Sequence, residues 1–245
     1  MISIYDLGPT SHPETNAWGT SPFVRTIVFI LRYKNLPYEI VPIGMMDIER
    51  TARELGARPT VTSPTTKFTV PFMKDSSTGK VVSDSAFIAQ YLDEAYPDTP
   101  TVVPQGSLHL QKLFQSNVYD SLAALNDVSL RPALISYFPK EIQELPMFSG
   151  PPPTTEQVRE AFDKTKKAFE KIGQNLSGGE EGPFRRFIMG GDGPTFADLT
   201  LVALVYPLRF VYGEKSEEWK EVKAWANGWV GWETEQVLKI AGIST

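Results

Sequence analysis

Two short segments carry residues whose types and spacing can do chemistry. Val70-Pro71-Phe72-Met73 is an apolar strand broken by a proline, and Ser83-Asp84-Ser85 follows closely at the start of an apolar-periodic stretch. Proline within a sheet is confined to edges, strand starts and bulges, so Pro71 marks a special backbone geometry, of which a cis peptide bond is one form. Such a bend leaves the amide and carbonyl of Val70 facing outward, open to pairing with the backbone of a bound peptide. The carboxylate and hydroxyls of Ser83-Asp84-Ser85 then stand at a helix N-terminus, where backbone N–H groups and the dipole favour a carboxylate ligand. Together they describe a site for a small zwitterionic peptide. The plainer alternative is an edge-strand proline followed by a helix cap.

The elements that position these residues are readable from periodicity. Residues 2–7 read as a strand, and Ser21 to Tyr33 as a helix with Phe23, Ile27, Ile30 and Leu31 on one face. Pro22 suits the first helical position, which makes Ser21 the N-cap. A second strand, Tyr38 to Val41, follows Asn35-Leu36-Pro37. Val70 to Lys74, a turn through Asp75-Ser76-Ser77-Thr78-Gly79, and Val81-Val82 form a hairpin. Phe87, Ile88, Tyr91, Leu92 and Ala95 then make a helix that ends before Pro97. Residues 1–97 are thus an α/β layer, and 98–106, bracketed by prolines, a linker. Over 107–245 strand signals nearly vanish and the prediction is an all-helical domain. Leu110, Leu113, Phe114, Asn117, Ser121, Leu122 and Leu125 recur at helical spacing, and Thr154-Thr155-Glu156-Gln157 and Thr195-Phe196-Ala197-Asp198 have the capping-box form. Trp225, Trp229 and Trp232 are expected on one face of a last helix.

Composition excludes several classes of function. The chain has 245 residues, 41% hydrophobic and 22% charged, ordinary for a soluble globular protein of one large or two modest domains. A net charge of -5 leaves no electrostatic footprint for nucleic acid or an anionic membrane, and neither partner is expected. The most apolar stretch, Phe196 to Tyr212, carries Asp198 and Arg209 and is broken by Pro207, so no spanning segment is expected. Met1 to Asp6 reads as a strand without a basic region, which points away from a signal peptide and towards a cytoplasmic protein. There is no cysteine, which removes disulfides, thiolate-bound metals and any protein thiol nucleophile. His12 and His109 are too few and isolated for a metal cluster. Any sulfur chemistry must use a thiol brought by the ligand.

Three features in chain order resemble the glutathione transferases: a strand followed by Ser21-Pro22 opening the first helix, the Val70-Pro71 turn leading to Asp84-Ser85, and Gly190-Gly191-Asp192-Gly193-Pro194-Thr195-Phe196-Ala197-Asp198 opening a buried helix. In that family the first two build the glutathione site of a thioredoxin-like domain, and the third is a capping box that nucleates the helical domain. The resemblance covers essentially the whole chain and implies a thioredoxin-like β-α-β-β-β-α domain followed by an all-helical one, α/β plus all-α. Trp18 to Arg25 together with Asp84 to Asp93 look most like the etherase-related branch, known from bacteria that cleave lignin ethers and from wood-decay fungi.

By this resemblance the residue before the helix-opening proline faces the glutathione sulfur. Redox-active relatives have cysteine there; this chain has Ser21. A hydroxyl cannot form a mixed disulfide, but it can donate a hydrogen bond to a thiolate. About 2 kcal/mol from that bond and the helix dipole moves a thiol by more than one pKa unit. Thr20 is the nearest rival hydroxyl. The γ-glutamyl amino group of glutathione would pair with Asp84, its carboxylate with Ser85 and the helix-start amides, the cysteinyl backbone with Val70 before Pro71, and the glycine carboxylate with Lys67 or Arg58. The long 8–20 loop carries Asn16 and Trp18. With Phe114, Tyr119 and Tyr206 among the aromatics of the helical domain, it suits a flat aromatic second substrate. The function implied is a glutathione transferase, without metal or redox cofactor, acting on hydrophobic aromatic electrophiles or aryl ethers in detoxification. The alternative is a ligandin-type protein that binds aromatic metabolites with little catalysis. The resemblance also implies a homodimer.

Overall fold

A computed structural model describes residues 1–60, 67–177 and 184–243. The chain divides into two compact units, Met1–Gln111 and Lys112–Thr245.

In the first unit β1 (Ile2–Leu7), β2 (Tyr38–Ile43), β3 (Phe72–Asp75) and β4 (Val81–Ser83) form one mixed sheet in the order β2-β1-β3-β4. β1 runs parallel to β2 and antiparallel to β3, and β3 pairs with β4 as the expected hairpin. Its turn is closed by Gly79 at φ 75°, a backbone region that glycine enters without a Cβ penalty. Strand alternation places Ile2, Ile4 and Asp6 on the buried face of β1. Of the helices, α2 (Pro22–Tyr33) and α4 (Ser85–Ala95) pack on each other and on β1 and β3. From Val24 to Leu31 every residue of α2 is buried, which makes it the core helix of the unit.

Two further helices, α1 (Pro13–Trp18) and α3 (Ile48–Leu55), depart from the sequence reading. The 8–20 segment, expected as loop throughout, contains α1, started by Pro13 at the first helical position and by His12, whose ring nitrogen accepts the Glu14 amide proton. α3 buries only Ala52 and is laced by the i,i+4 pairs Glu49–Arg53 and Arg50–Glu54. The segment after α4 is fastened to the first unit. Lys34 Nζ donates to Thr99 Oγ1 and to the Pro100 carbonyl, and Asp93 accepts the amides of Val102 and Val103.

The unit boundary falls within α5 (Leu108–Leu125). A π-helical turn over Asn126–Leu130 leads to α6 (Arg131–Ile135), α7 (Lys140–Gln143), α8 (Thr155–Ser177), α9 (Phe196–Val205), α10 (Pro207–Tyr212), α11 (Glu217–Ala224) and α12 (Trp229–Ile240). Both expected capping boxes form, Thr154 with Gln157 and Thr195 with Asp198. Each gives two orphan amides a partner. All of α9 is buried, so it is the core helix of this unit. The three tryptophans do not share one helix. Trp225 ends α11 and Trp229 opens α12, because Ala226, Asn227 and Gly228 all take positive φ and reverse the chain. The close return needs Gly231, where a Cβ would lie 2.6 Å from the Lys223 carbonyl oxygen.

Candidate functional site

The junction of β1 and α2 is built around a buried carboxylate. Asp6, 1% exposed, accepts the amides of Leu7 at 2.7 Å and Ser21 at 3.1 Å on Oδ1 and that of Thr20 at 2.5 Å on Oδ2. Burial pushes its carboxyl up and these amides, together with the Arg25 charge, pull it back, leaving it at about 6. Arg25, also buried on α2, donates from Nη2 to the Gly19 carbonyl at 2.6 Å. Gly19 has φ 99°, where a side chain is strained, and a Cβ there would stand 3.0 Å from the Arg25 backbone nitrogen.

Ser21 occupies the N-cap position and its carbonyl accepts the Arg25 amide at 2.9 Å, but its hydroxyl caps no amide of α2. Ser21 is thus the N-cap residue expected from the sequence, with its hydroxyl outside the capping role. Pro22 at the first helical position has no N–H to satisfy, and Ser21's own amide is held by Asp6. The hydroxyl therefore stands at the positive end of a twelve-residue helix without closing it.

The second half of the site comes from the sheet. The Val70–Pro71 bond is cis, and among the described residues neither backbone group of Val70 pairs with another backbone group. Phe72 is paired with Ser83 across the hairpin and with Tyr5 across to β1. Extending that register by one residue sets Pro71 between Asp6 on one side and Asp84 on the other. Asp84 has φ 75° and ψ 127°, a region that costs a non-glycine residue about 1–3 kcal/mol and persists where the surroundings impose it. Its Oδ1 accepts the amides of Ala86 at 2.9 Å and Phe87 at 3.4 Å, so it also caps α4, which begins at the buried Ser85. By that register Val70, Pro71, Asp84 and Ser85 lie at the same end of the sheet as Asp6, which holds the Ser21 amide.

Arg58 and Lys67 are exposed; Thr60, two residues after Arg58, donates its amide to the Lys67 carbonyl at 2.8 Å and shares a hydroxyl bond with Thr69. The Asn16 side chain bonds both backbone groups and the hydroxyl of Thr10, which ties the loop into its shape. Trp18 carries the Arg32 guanidinium over its ring at 4.8 Å. On α5 Phe114 is half-buried and Tyr119 exposed. Tyr206 lies in the core of the second unit, 1% exposed, edge-on to Phe210 and accepting a hydrogen bond from Arg209. Asp6 and Arg25 escaped the sequence reading. The signal for Asp6 was an acid in the buried phase of the Ile2, Ile4, Asp6 alternation.

Comparison with known proteins decides the family. Residues 17–100 match the model of the glutathione S-transferase N-terminal domain, and residues 109–239 that of the C-terminal domain. The chain belongs to the glutathione S-transferase family. It is 27% identical to a glutathione S-transferase-like protein, ustS, of Aspergillus flavus, over 93% of this chain and 86% of that protein. Its fold is similar to a glutathione S-transferase of Ceriporiopsis subvermispora solved in complex with glutathione, with a TM-score of 0.83, 29% identity and coverage of 98% of this chain and 97% of that one. It is also similar to glutathione transferase GSTFuA3 of Phanerochaete chrysosporium, with a TM-score of 0.82, 27% identity and coverage of 100% and 98%. These family members are fungal. Among the described residues no helix is long and apolar enough to cross a membrane, and no group of three or more His, Cys, Asp or Glu is placed to hold a metal.

Proposed function

We propose that this chain is a serine-type transferase of the etherase-related branch, which binds glutathione at the sheet end described above and transfers it to a hydrophobic aromatic electrophile or aryl ether. The observation that carries this reading is the Ser21 hydroxyl, present at the N-terminus of α2 yet not engaged in capping it. It donates a hydrogen bond to the glutathione thiolate, and the helix dipole adds to the stabilisation. Val70 pairs with the cysteinyl backbone beside Pro71, Asp84 with the γ-glutamyl amino group, Ser85 with its carboxylate, and Lys67 or Arg58 with the glycine carboxylate. The thiolate then attacks an electrophilic carbon, and an aryloxide or halide leaves with the bond electrons. Trp18, Asn16, Phe114 and Tyr119 are the residues assigned to the aromatic partner; Tyr206, 1% exposed, is withdrawn from that set.

A cytoplasmic homodimer is part of the same reading. The dimer part of it is supported by exposed apolar side chains on α4 and α5, Phe87 at 45%, Leu110 at 59% and Leu113 at 69%.

The test is glutathione-dependent turnover of a chloronitrobenzene, an isothiocyanate and a β-aryl ether by wild type and Ser21→Ala in parallel. Turnover that drops sharply in the variant is expected. Equal turnover in both removes Ser21 from the chemistry. A wild type that binds phenols with micromolar affinity but turns nothing over is instead a ligandin-type carrier.

A further inference from the structure

Ser21 is reached by a turn, Gly19-Thr20-Ser21, in which the amides of Thr20 and Ser21 and the carbonyl of Gly19 are bonded by side chains. The amides of Thr20 and Ser21 both point at the Asp6 carboxylate, one to each oxygen, and the carbonyl of Gly19 points at the Arg25 guanidinium. Acid and base are each 1% exposed and come from different elements, Asp6 from the end of β1 and Arg25 from the first turns of α2. A charged group so deeply buried is costly to keep without a reason for its charge. Had the turn only needed closing, the Ser21 hydroxyl could have capped α2 as serines commonly do. Here the backbone is held by buried side chains and the hydroxyl is left for something else.

We propose that Asp6 and Arg25 are positioning residues that clamp the Gly19-Thr20-Ser21 turn from both sides and thereby present the Ser21 hydroxyl to the thiolate of bound glutathione. The inference rests on the reading of Ser21 given above. It adds that hydroxyl placement is set by two buried charged groups, each bonded to the turn backbone, and is therefore sensitive to the charge on Asp6. When Asp6 takes up a proton, its oxygens become weaker acceptors for the two amides and the turn loosens. Arg25 is the charged group that acts on Asp6; Pro42, its register partner on β2, and Pro71 beyond the end of β3 carry none. The Asp6 carboxyl lies at about 6, so the clamp is closed above that pH and opens below it. Turnover should accordingly carry an acidic limb that belongs to the protein, separate from ionisation of the glutathione thiol.

The experiment compares wild type, Asp6→Asn, Arg25→Met, Arg25→Lys and Ser21→Ala. It measures kcat and the glutathione KM from about pH 5 to pH 9, with melting temperature recorded for each. Asp6→Asn should lower kcat by about tenfold or more while the glutathione KM changes less than about threefold, because the peptide contacts at Val70, Asp84 and Ser85 are untouched. The acidic limb of kcat should vanish in Asp6→Asn. In Arg25→Met it should move to higher pH, since loss of the cation raises the Asp6 carboxyl, and Arg25→Lys should restore it in part. A role confined to folding would lower melting temperature without moving the limb, and that result overturns the proposal. So does an unchanged kcat in Asp6→Asn beside a crippled Ser21→Ala, which leaves the serine reading standing and removes only the clamp. If Ser21→Ala is fully active, the serine reading fails and the clamp falls with it.

Discussion

The Lys34 ammonium stands 2.6 Å from an Asp93 carboxylate oxygen, and no part of the Lys34 side chain reaches solvent. Lys34 ends α2 and Asp93 lies on α4, so one ion pair joins the two core helices and, through Thr99, Pro100, Val102 and Val103, the chain that follows them. Removing one partner of a buried pair leaves the other charge uncompensated, at a cost of about 3–5 kcal/mol. Lys34→Met should lower the denaturation midpoint of the first unit accordingly. Salt at about 1 M should barely affect the wild-type value, because a buried pair is poorly screened.

Asp75 predicts behaviour in acid. Burial alone would lift its carboxyl, but bonds from the hydroxyls of Ser77, Tyr96 and Tyr91 and the amide of Ser77 outweigh it and hold the group at about 2. The folded value lies below the ordinary 3.8, so the stability Asp75 contributes is present above that pH and is lost as pH falls through about 2. Unfolding free energies measured across this window should decline in wild type. Asp75→Asn should be less stable at neutral pH and show a shallower decline.

Glu233 predicts the opposite slope. It is fully buried on α12, and burial, then the Asp198 charge and a side-chain hydrogen bond with Asp198, push it well above the usual 4.5. A raised acid favours the protonated fold, so its contribution is intact below 4.5 and is lost as pH rises towards the folded value. Glu233→Gln keeps the shape without the charge. Its melting temperature should exceed that of wild type at about pH 8 and approach it at about pH 4. A gap that does not change with pH would show that Glu233 carries no such proton.

Ser21→Cys tests the chemistry of the position. A thiol at the N-terminus of α2 is shifted towards thiolate and can form the mixed disulfide that a hydroxyl cannot. Since the chain has no other cysteine, the new thiol acts alone. The variant should lose conjugation to aryl electrophiles and gain glutathione-dependent reduction of mixed disulfides, followed by a coupled thiol-transfer assay.

Local signals made much of this structure legible. Ser21-Pro22, the hairpin through Gly79 and the boxes at Thr154 and Thr195 are each specified within a few residues. What was missed depends on distant partners or on a signal of another kind. Asp6 meets Thr20 and Ser21 from fourteen and fifteen residues away, and Lys34 meets Asp93 only after a hairpin and a helix intervene. α3 has almost no buried face and stands on charge pairs, so apolar periodicity could not reveal it. The break after Trp225 was written in Asn227-Gly228, a turn dipeptide overridden by the regular spacing of the tryptophans. Of the peptide site, the cis bond at Pro71 and the cap at Asp84 were legible; the means of holding Ser21 was not.

The five tryptophans fall unequally on the two units: Trp18 alone in the first, and Trp219, Trp225, Trp229 and Trp232 in the second. Intrinsic fluorescence of the chain is therefore dominated by the helical unit, and its loss on denaturation times the melting of that unit. Trp18 lies three residues before Ser21 with a guanidinium over its ring. The difference spectrum between wild type and Trp18→Phe isolates one chromophore beside the site, so that arrival of a ligand there can be followed by light without any added label.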